Sequence, residues 1–466
     1  MFREFKSLLL LALPLVLAQL AQNATSFVDT VMVGKLGNEA LAGIAIGGLV
    51  FMFVAIVLSG VVLGVSAVVS QATGAGDQPT CGRAVRQGFW LAGILWLPAM
   101  ILFWNIYPIL IWFRQPEAAA LASSEYLRAI SWGLLPGLAA FALRGLLEGK
   151  SNTRPIMLIF SLGVVINIFL NDTLMFGKYG LPALGLVGTG YASSIGLTVN
   201  FVLLSLYASR RYPELQLFSS LRFPDFSMMR ELLRIGGPIA IALGFEASMF
   251  SAAGIAMGTL GEIPLAAHQI ALQTASVSFM VPLGIAIAAS VRVGQKTGAG
   301  DHAGAKLAGY VGIASCALVM LGFAILFWIF PKLIIGLYID TTDPANAEVL
   351  RLGIQFLAIA GLFQVVDGIQ VAANLALRGI KDTFASMLIT LISYWGVGGT
   401  TGAILCFGLG YDGAGLWLGM TAGLATAALL LCHRFRSQFR GAAYLERQSV
   451  GDKIKRSSNA VTKEDH

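Results

Sequence analysis

The chain has 466 residues, of which 57% are hydrophobic and only 12% charged. A soluble globular protein carries about 25% charged residues, so this composition excludes a soluble enzyme or binding module and points to an integral membrane protein. The net charge of +7 resides mostly in loops and a basic tail, which leaves no case for a nucleic-acid partner.

The opening MFREFKSLLLLALPLVLAQLAQNA has the basic start and apolar run of a secretory signal. That run continues through FVDTVMVG, however, and is echoed deep in the chain around Pro238, where no signal is cleaved. It therefore reads as the first of about twelve spanning helices, each an apolar run of roughly 20 residues. The runs cover 8–33, 45–71, 88–112, 125–147, 156–177, 186–208, 232–257, 268–291, 308–335, 349–375, 384–408 and 413–433.

The second of these ends in VSQATGAGDQ (Val69–Gln78), and nearly the same phrase returns after the eighth as VGQKTGAGDH (Val293–His302). The same shift, without a gap, places Pro14 on Pro238 and Gly34-Lys35-Leu36-Gly37 on Gly258-Thr259-Leu260-Gly261. The chain is a duplicated unit. Six helices per unit is an even number, so both halves enter the membrane in the same sense and their symmetry axis lies along its normal. The halves are residues 1–208 and 231–433, joined by a cytoplasmic linker at 209–230 and followed by a basic cytoplasmic tail at 434–466 expected to be disordered. In the doubled phrase, Gly74 and Gly298 are expected to end helices in a left-handed conformation, and Asp77 and Asp301 to cap the next ones. A phosphate-binding loop is excluded, because no strand precedes the phrase and no G-K-[ST] follows.

If the N-terminus is cytoplasmic, all but six of the 31 Lys and Arg fall on that side, the exceptions being Lys35, Arg114, Arg128, Lys178, Lys332 and Arg351. Both termini are then inside. The four cysteines and four histidines are scattered, without metal-ligand or disulfide spacing, and no nucleophile–base pair suggests an enzyme.

A carboxylate at the centre of a membrane helix costs about 2.5–3.5 kcal/mol on insertion scales, so each one needs a reason. Asp29, Glu246 and Asp367 stand out, with Asp172 a fourth nearer the outer end. Asp367 and Glu246 lie at the same depth to within about one helical turn, so they can form one site in the second half. Asp29, Asp172, Asn171 and Asn167 offer another in the first. Polar residues share faces with them. Gln19, Gln22, Asn23, Ser26 and Asp29 fall within an arc of about 120°, as do Gln364, Asp367, Gln370 and Asn374. Such stripes are expected to face a water-filled cavity or a packed polar interface rather than lipid. Arg144, Glu148, Lys150, Arg292 and Arg378 lie near helix ends, where snorkelling is expected, and His268 reads as interfacial. Unpaired intramembrane carboxylates suit binding of a proton or small cation, or attraction of an organic cation aided by aromatic faces such as Phe27, Phe245 or Phe250. Competition for the same carboxylates is the simplest exchange mechanism. Prolines inside helices, Pro14 and Pro238 above all, supply kinks.

FVDTVMVGKLG, the paired Q-x-T-G-A-G loops, EGKSNTRP and VVDGIQVAANLALRGIKDT resemble the multidrug and toxic compound extrusion (MATE) family in its NorM-like branch. The resemblance covers nearly the whole chain except the tail. It implies an all-α membrane protein of twelve helices in two pseudo-symmetric six-helix lobes around a central cleft. It also implies export of organic cations or related drugs, driven by inward flow of protons or sodium, with no cofactor and no obligate protein partner, in a bacterial inner (plasma) membrane. Residue by residue, Asp29 matches the first-lobe acidic position, Asn167 and Asn171 its polar partners, and Glu246 and Asp367 a second-lobe cation or sodium site. Phe363 stands where relatives often have Tyr, which leaves the coupling ion open between proton and sodium. The alternative is a lipid-linked oligosaccharide flippase of the same superfamily, whose anionic cargo calls for an Arg- and Lys-rich cleft.

Overall fold

The computed structural model describes residues 2–218 and 224–461. Among them it has twelve helices long and apolar enough to cross a membrane. We label these α1 (Glu4–Leu36), α2 (Glu39–Gly74), α3 (Gln78–Trp104), α4 (Glu117–Gly149), α5 (Arg154–Phe176), α6 (Gly185–Arg211), α7 (Phe226–Leu260), α8 (Glu262–Gly298), α9 (His302–Ile329), α10 (Pro344–Gly379), α11 (Thr383–Gly408) and α12 (Asp412–Phe439).

Within the first half, α4 packs on α2, α3 and α6, and α5 on α1 and α6. In the second, α10 packs on α8, α9 and α12, and α11 on α7 and α12. The halves meet where α1 touches α8 and α7 touches α2, a pairing that the duplication maps onto itself, and where α2 also meets α8. A Cβ at Gly60 would lie 2.5 Å from the Cα of Ala240, and one at the equivalent Gly284 would lie 2.7 Å from the backbone nitrogen of Val16. These approaches, with the Gly74 and Gly298 contacts farther along α2 and α8, sit in the half of the helices nearest the N-terminus and the two repeated loops. We call that side the loop face. The lobes are thus in direct backbone contact at the loop face. In the other half of α1 and α7, Phe27, Val31 and Ile255 are exposed.

The doubled phrase forms two matching turns. Asp77 caps α3 through the Thr80 N–H at 3.0 Å, and Asp301 caps α9 through the Gly304 N–H at 2.7 Å, as expected. The left-handed residues are not Gly74 and Gly298 but Gly76 and Gly300, both at φ +74°. Gly74 and Gly298 serve close approach instead, because each lies against the backbone of the other lobe.

Two irregularities matter for the site. At Leu63, α2 breaks between a helix ending at Val62 and another beginning at Gly64. α11 widens into π-helical turns over Ile392–Gly399 and Ile404–Gly408, and presses Gly402 against Gly419 of α12 with no room for a side chain between them.

The segment from Arg434, expected to be disordered, begins as part of the last helix. The last helix continues from Asp412 to Val461. Phe435 and Phe439 are buried and meet edge-on at 5.1 Å, and Phe435 meets Tyr310 of α9 at 5.8 Å. Two phenylalanines one turn apart supply the apolar stripe that the basic composition of this segment conceals.

Candidate functional site

The first-half carboxylate is buried among α1, α4, α5 and α6. Asp29 Oδ1 accepts a hydrogen bond from Asn171 Nδ2 at 2.5 Å, and Oδ2 accepts one from Ser193 Oγ at 3.2 Å. Asn171 Nδ2 also reaches Asn167 Oδ1 at 3.1 Å, one turn along α5. Tyr126 of α4 lies within electrostatic reach of Asp29. Asn167 Nδ2, Asn171 Oδ1 and Thr189 Oγ1 are buried without a partner among the described residues. A charge and several polar atoms thus converge with spare hydrogen-bonding capacity. Asn167, Asn171 and Asp29 come together as the sequence suggested. Ser193 and Tyr126 were missed, since a serine or tyrosine within a helix carries no signal of its own.

Asp172 does not join this site. It is half-exposed, and both its oxygens accept from Lys178 Nζ at 2.8 Å. One helix position (about 100°) turns it away from Asn171 and toward a lysine just past the helix end.

In the second half, Glu246 of α7 and Asp367 of α10 lie within electrostatic reach of one another and of Tyr394 of α11. Neither carboxylate has a hydrogen bond or ion pair among the described residues. Gln370 neighbours the Tyr394 hydroxyl, so the first π-helical segment of α11 delivers a phenol to the acidic pair. Tyr394 was missed by sequence reasoning, because the widened turns change which face it occupies. Gln364 is buried and accepts from Ser278 Oγ at 2.7 Å, and Phe363 is buried between Phe250 at 6.2 Å and Trp417 at 5.4 Å. His268, expected at the interface, is fully buried edge-on to Trp417 at 5.6 Å.

A cavity of about 50 Å³ lies below Glu246 on its loop-face side, lined by Asn374, Arg378, Thr383, Ser386 and Thr390 and by apolar side chains such as Ile239, Leu243 and Met387. Asn374 Oδ1 accepts from Ser386 Oγ at 2.6 Å. Arg378 therefore shares a cavity with Glu246 without pairing with it.

The stripe on α1 divides. Gln19 and Gln22 accept from Arg144 at 2.9 Å each, Asn23 is half-buried, and Ser26 is exposed. Arg144 and Glu148 do not snorkel. They are 4% and 3% exposed and form a 2.7 Å ion pair, with Ser66 Oγ donating to Glu148 at 3.2 Å. The remaining basic residues near helix ends are also engaged. Lys150 donates to Gln78 Oε1, Arg292 holds Glu4 through two 2.8 Å bonds between lobes, and Arg378 donates to the Leu63 carbonyl across the seam at 2.6 Å.

The MatE family model matches the chain twice, over residues 14–173 and 238–403, in step with the duplication. The chain belongs to the MATE family, and is a membrane transporter rather than an enzyme. It is 41% identical over 435 residues to a protein of Pseudomonas aeruginosa described as a probable multidrug resistance protein, NorM, covering 93% of this chain and 89% of that one. It is 40% identical to a protein of the same description from Synechocystis sp., covering 93% and 94%. Solved structures share the fold. A eukaryotic MATE transporter, AtDTX14, superposes with a TM-score of 0.82 at 23% identity over 95% of this chain and 98% of its own. A multidrug resistance MATE family transporter in an outward-facing conformation gives 0.83 at 19%, over 94% and 96%.

Proposed function

We propose that this MATE transporter is a secondary active multidrug exporter. It exchanges organic cations and related drugs for protons or sodium by alternating access, through the carboxylates Asp29, Glu246 and Asp367. The observation that carries the reading is that Asp29 and Asp367 are buried and Glu246 is half-buried against a cavity, yet among the described residues none is paired with a lysine or arginine. Asp29 is held by neutral amide and hydroxyl donors, which leave its charge available. Such groups are costly inside a membrane unless they bind something. A flippase for anionic lipid-linked sugars is disfavoured by the same acidic character. The family membership and the NorM description of the 41%-identical relative support drugs as cargo.

The charge bias of the loops supports a bacterial plasma-membrane location with both termini, and hence the loop face, in the cytoplasm. The test is dye efflux from vesicles under separately imposed pH and sodium gradients. Efflux driven by either gradient supports exchange, and efflux driven by neither overturns it.

A further inference from the structure

We infer that Arg378 is the barrier that keeps the driving ion from leaking between Glu246 and the loop face while the lobes are closed there. The inference rests on the proposed exchange at Glu246 and adds a residue to it. The cavity beneath Glu246 is the ground for it. Its walls come from the first turns of α11 (Thr383 to Thr390), the last turn of α10 (Arg378) and the segment Pro238–Glu246 of α7. At 1.5 Å per residue, Pro238 to Glu246 spans about 12 Å. Glu246 thus occupies the deep end, and Arg378 and Thr383 the end nearest the loop face. The lining between mixes the amide and hydroxyls of Asn374, Ser386 and Thr390 with apolar side chains such as Ile239, Leu243 and Met387. Thr383 Oγ1 is buried without a partner among the described residues, a polar atom that a water in the cavity would satisfy.

A wetted passage from an ion-binding carboxylate to one face short-circuits an exchanger unless something blocks it. Sterically the cavity does not, since about 50 Å³ accommodates water. A fixed guanidinium does so electrostatically, as a positive group lining a pore repels protons and metal cations. Arg378 is fixed from outside its own lobe, because the Leu63 carbonyl at the break in α2 accepts its Nη2–H at 2.6 Å, beside a 3.2 Å bond from the Ser66 N–H. The barrier is therefore in place only while α2 and α10 are together. Parting the lobes at the loop face removes the tether and opens the passage when release is due. Glu148 and Arg144 are the other charges that Arg378 faces across the seam, and they already form a pair with each other. Lys381 and Asp382, just beyond, are engaged by Glu231 and Arg434.

The experiment uses full-length protein in vesicles carrying an imposed pH gradient, or in parallel a sodium gradient, with no drug present. Arg378→Met is expected to dissipate the gradient several-fold faster than wild type, whereas Arg378→Lys, which keeps the charge, stays tight. Adding Glu246→Gln to Arg378→Met is expected to restore the slow rate, which damage to folding would not. The inference is overturned if Arg378→Met is as tight as wild type, if Arg378→Lys leaks as fast as Arg378→Met, or if the leak persists without Glu246. Wild-type dye efflux in the same vesicles reports separately on the exchange itself.

Discussion

Gly74 lies so close to Gln295 that a Cβ on it would sit 1.9 Å from the glutamine carbonyl oxygen, and the duplicated pair, Gly298 and Gln71, repeats the contact at 2.0 Å. The glutamine side chains complete the seam. Gln71 Nε2 donates to the Gly379 carbonyl at 2.9 Å, and Gln295 Nε2 to that of Gly149 at 2.8 Å. The repeated Q-x-T-G-A-G phrase is thus the closure of the loop face, used once from each lobe. Backbone cannot yield to a methyl group at such distances without moving a whole helix. Gly74→Ala and Gly298→Ala are each expected to loosen the closure. In either variant, a thiol placed by Ala240→Cys, buried at the seam, should react with a water-soluble maleimide several-fold faster than in the parent. Unchanged labelling would mean that the helices absorb the methyl without parting.

The two first-half aspartates farthest from the loop face, Asp29 and Asp172, separate cleanly. Asp29→Asn removes the charge held by Asn171 and Ser193 and is expected to abolish most dye efflux at normal expression. Glu246→Gln and Asp367→Asn should do the same from the other lobe. Asp172→Asn loses only an exposed pair with Lys178, worth about 0–1 kcal/mol, and should transport like wild type. A severe defect in Asp172→Asn, or normal efflux in Asp29→Asn, would reverse the assignment.

Helix number, the duplication and the three carboxylates within the helices were legible because each leaves a linear trace: an apolar run, a repeated phrase, an acid where few are tolerated. The loss of Asp172 from the site was not, since one helix position decides whether a side chain meets the bundle or a lysine beyond its end. Nor was the buried state of Arg144 and Glu148, or the half-buried, tethered Arg378. Counting residues from a helix end places them near the interface, but the closed seam and the break at Leu63 cover them. Tyr394 was hidden for a third reason, since π-helical turns abolish the 100° step on which face assignments depend.

The caps of the doubled loop carry a pH dependence of their own. Hydrogen bonds from Thr80 hold Asp77 below the usual Asp range, while Lys296, followed by the Gly304 N–H, does so for Asp301. A depressed folded-state pKa stabilises above the unfolded value of about 3.9 and is lost as pH falls through the lower folded value. Asp301→Ala should therefore cost about 1 kcal/mol near neutrality, as loss of a helix cap does. The gap from wild type should narrow as pH drops below the unfolded value. Thermal unfolding in detergent across pH measures it, and a pH-independent gap would show that the carboxylate charge is irrelevant.

The Arg144–Glu148 pair is the costliest feature outside the proposed sites, and its behaviour on mutation differs from that of a surface bridge. With both side chains under 5% exposed and 2.7 Å apart, removing one strands the other as an unpaired charge in a water-poor interior. That is typically worth about 3–5 kcal/mol. Arg144→Met alone is expected to unfold at a markedly lower temperature, as is Glu148→Leu alone. The double variant removes both charges together and should recover most of the loss, because well-packed apolar side chains substitute for a buried pair at little net cost. The residual deficit should reflect Gln19 and Gln22, whose side-chain oxygens both lose Arg144 as donor. If the double variant were as unstable as the sum of the singles, the two residues would be acting independently, and the pair would not be the source of the stabilisation.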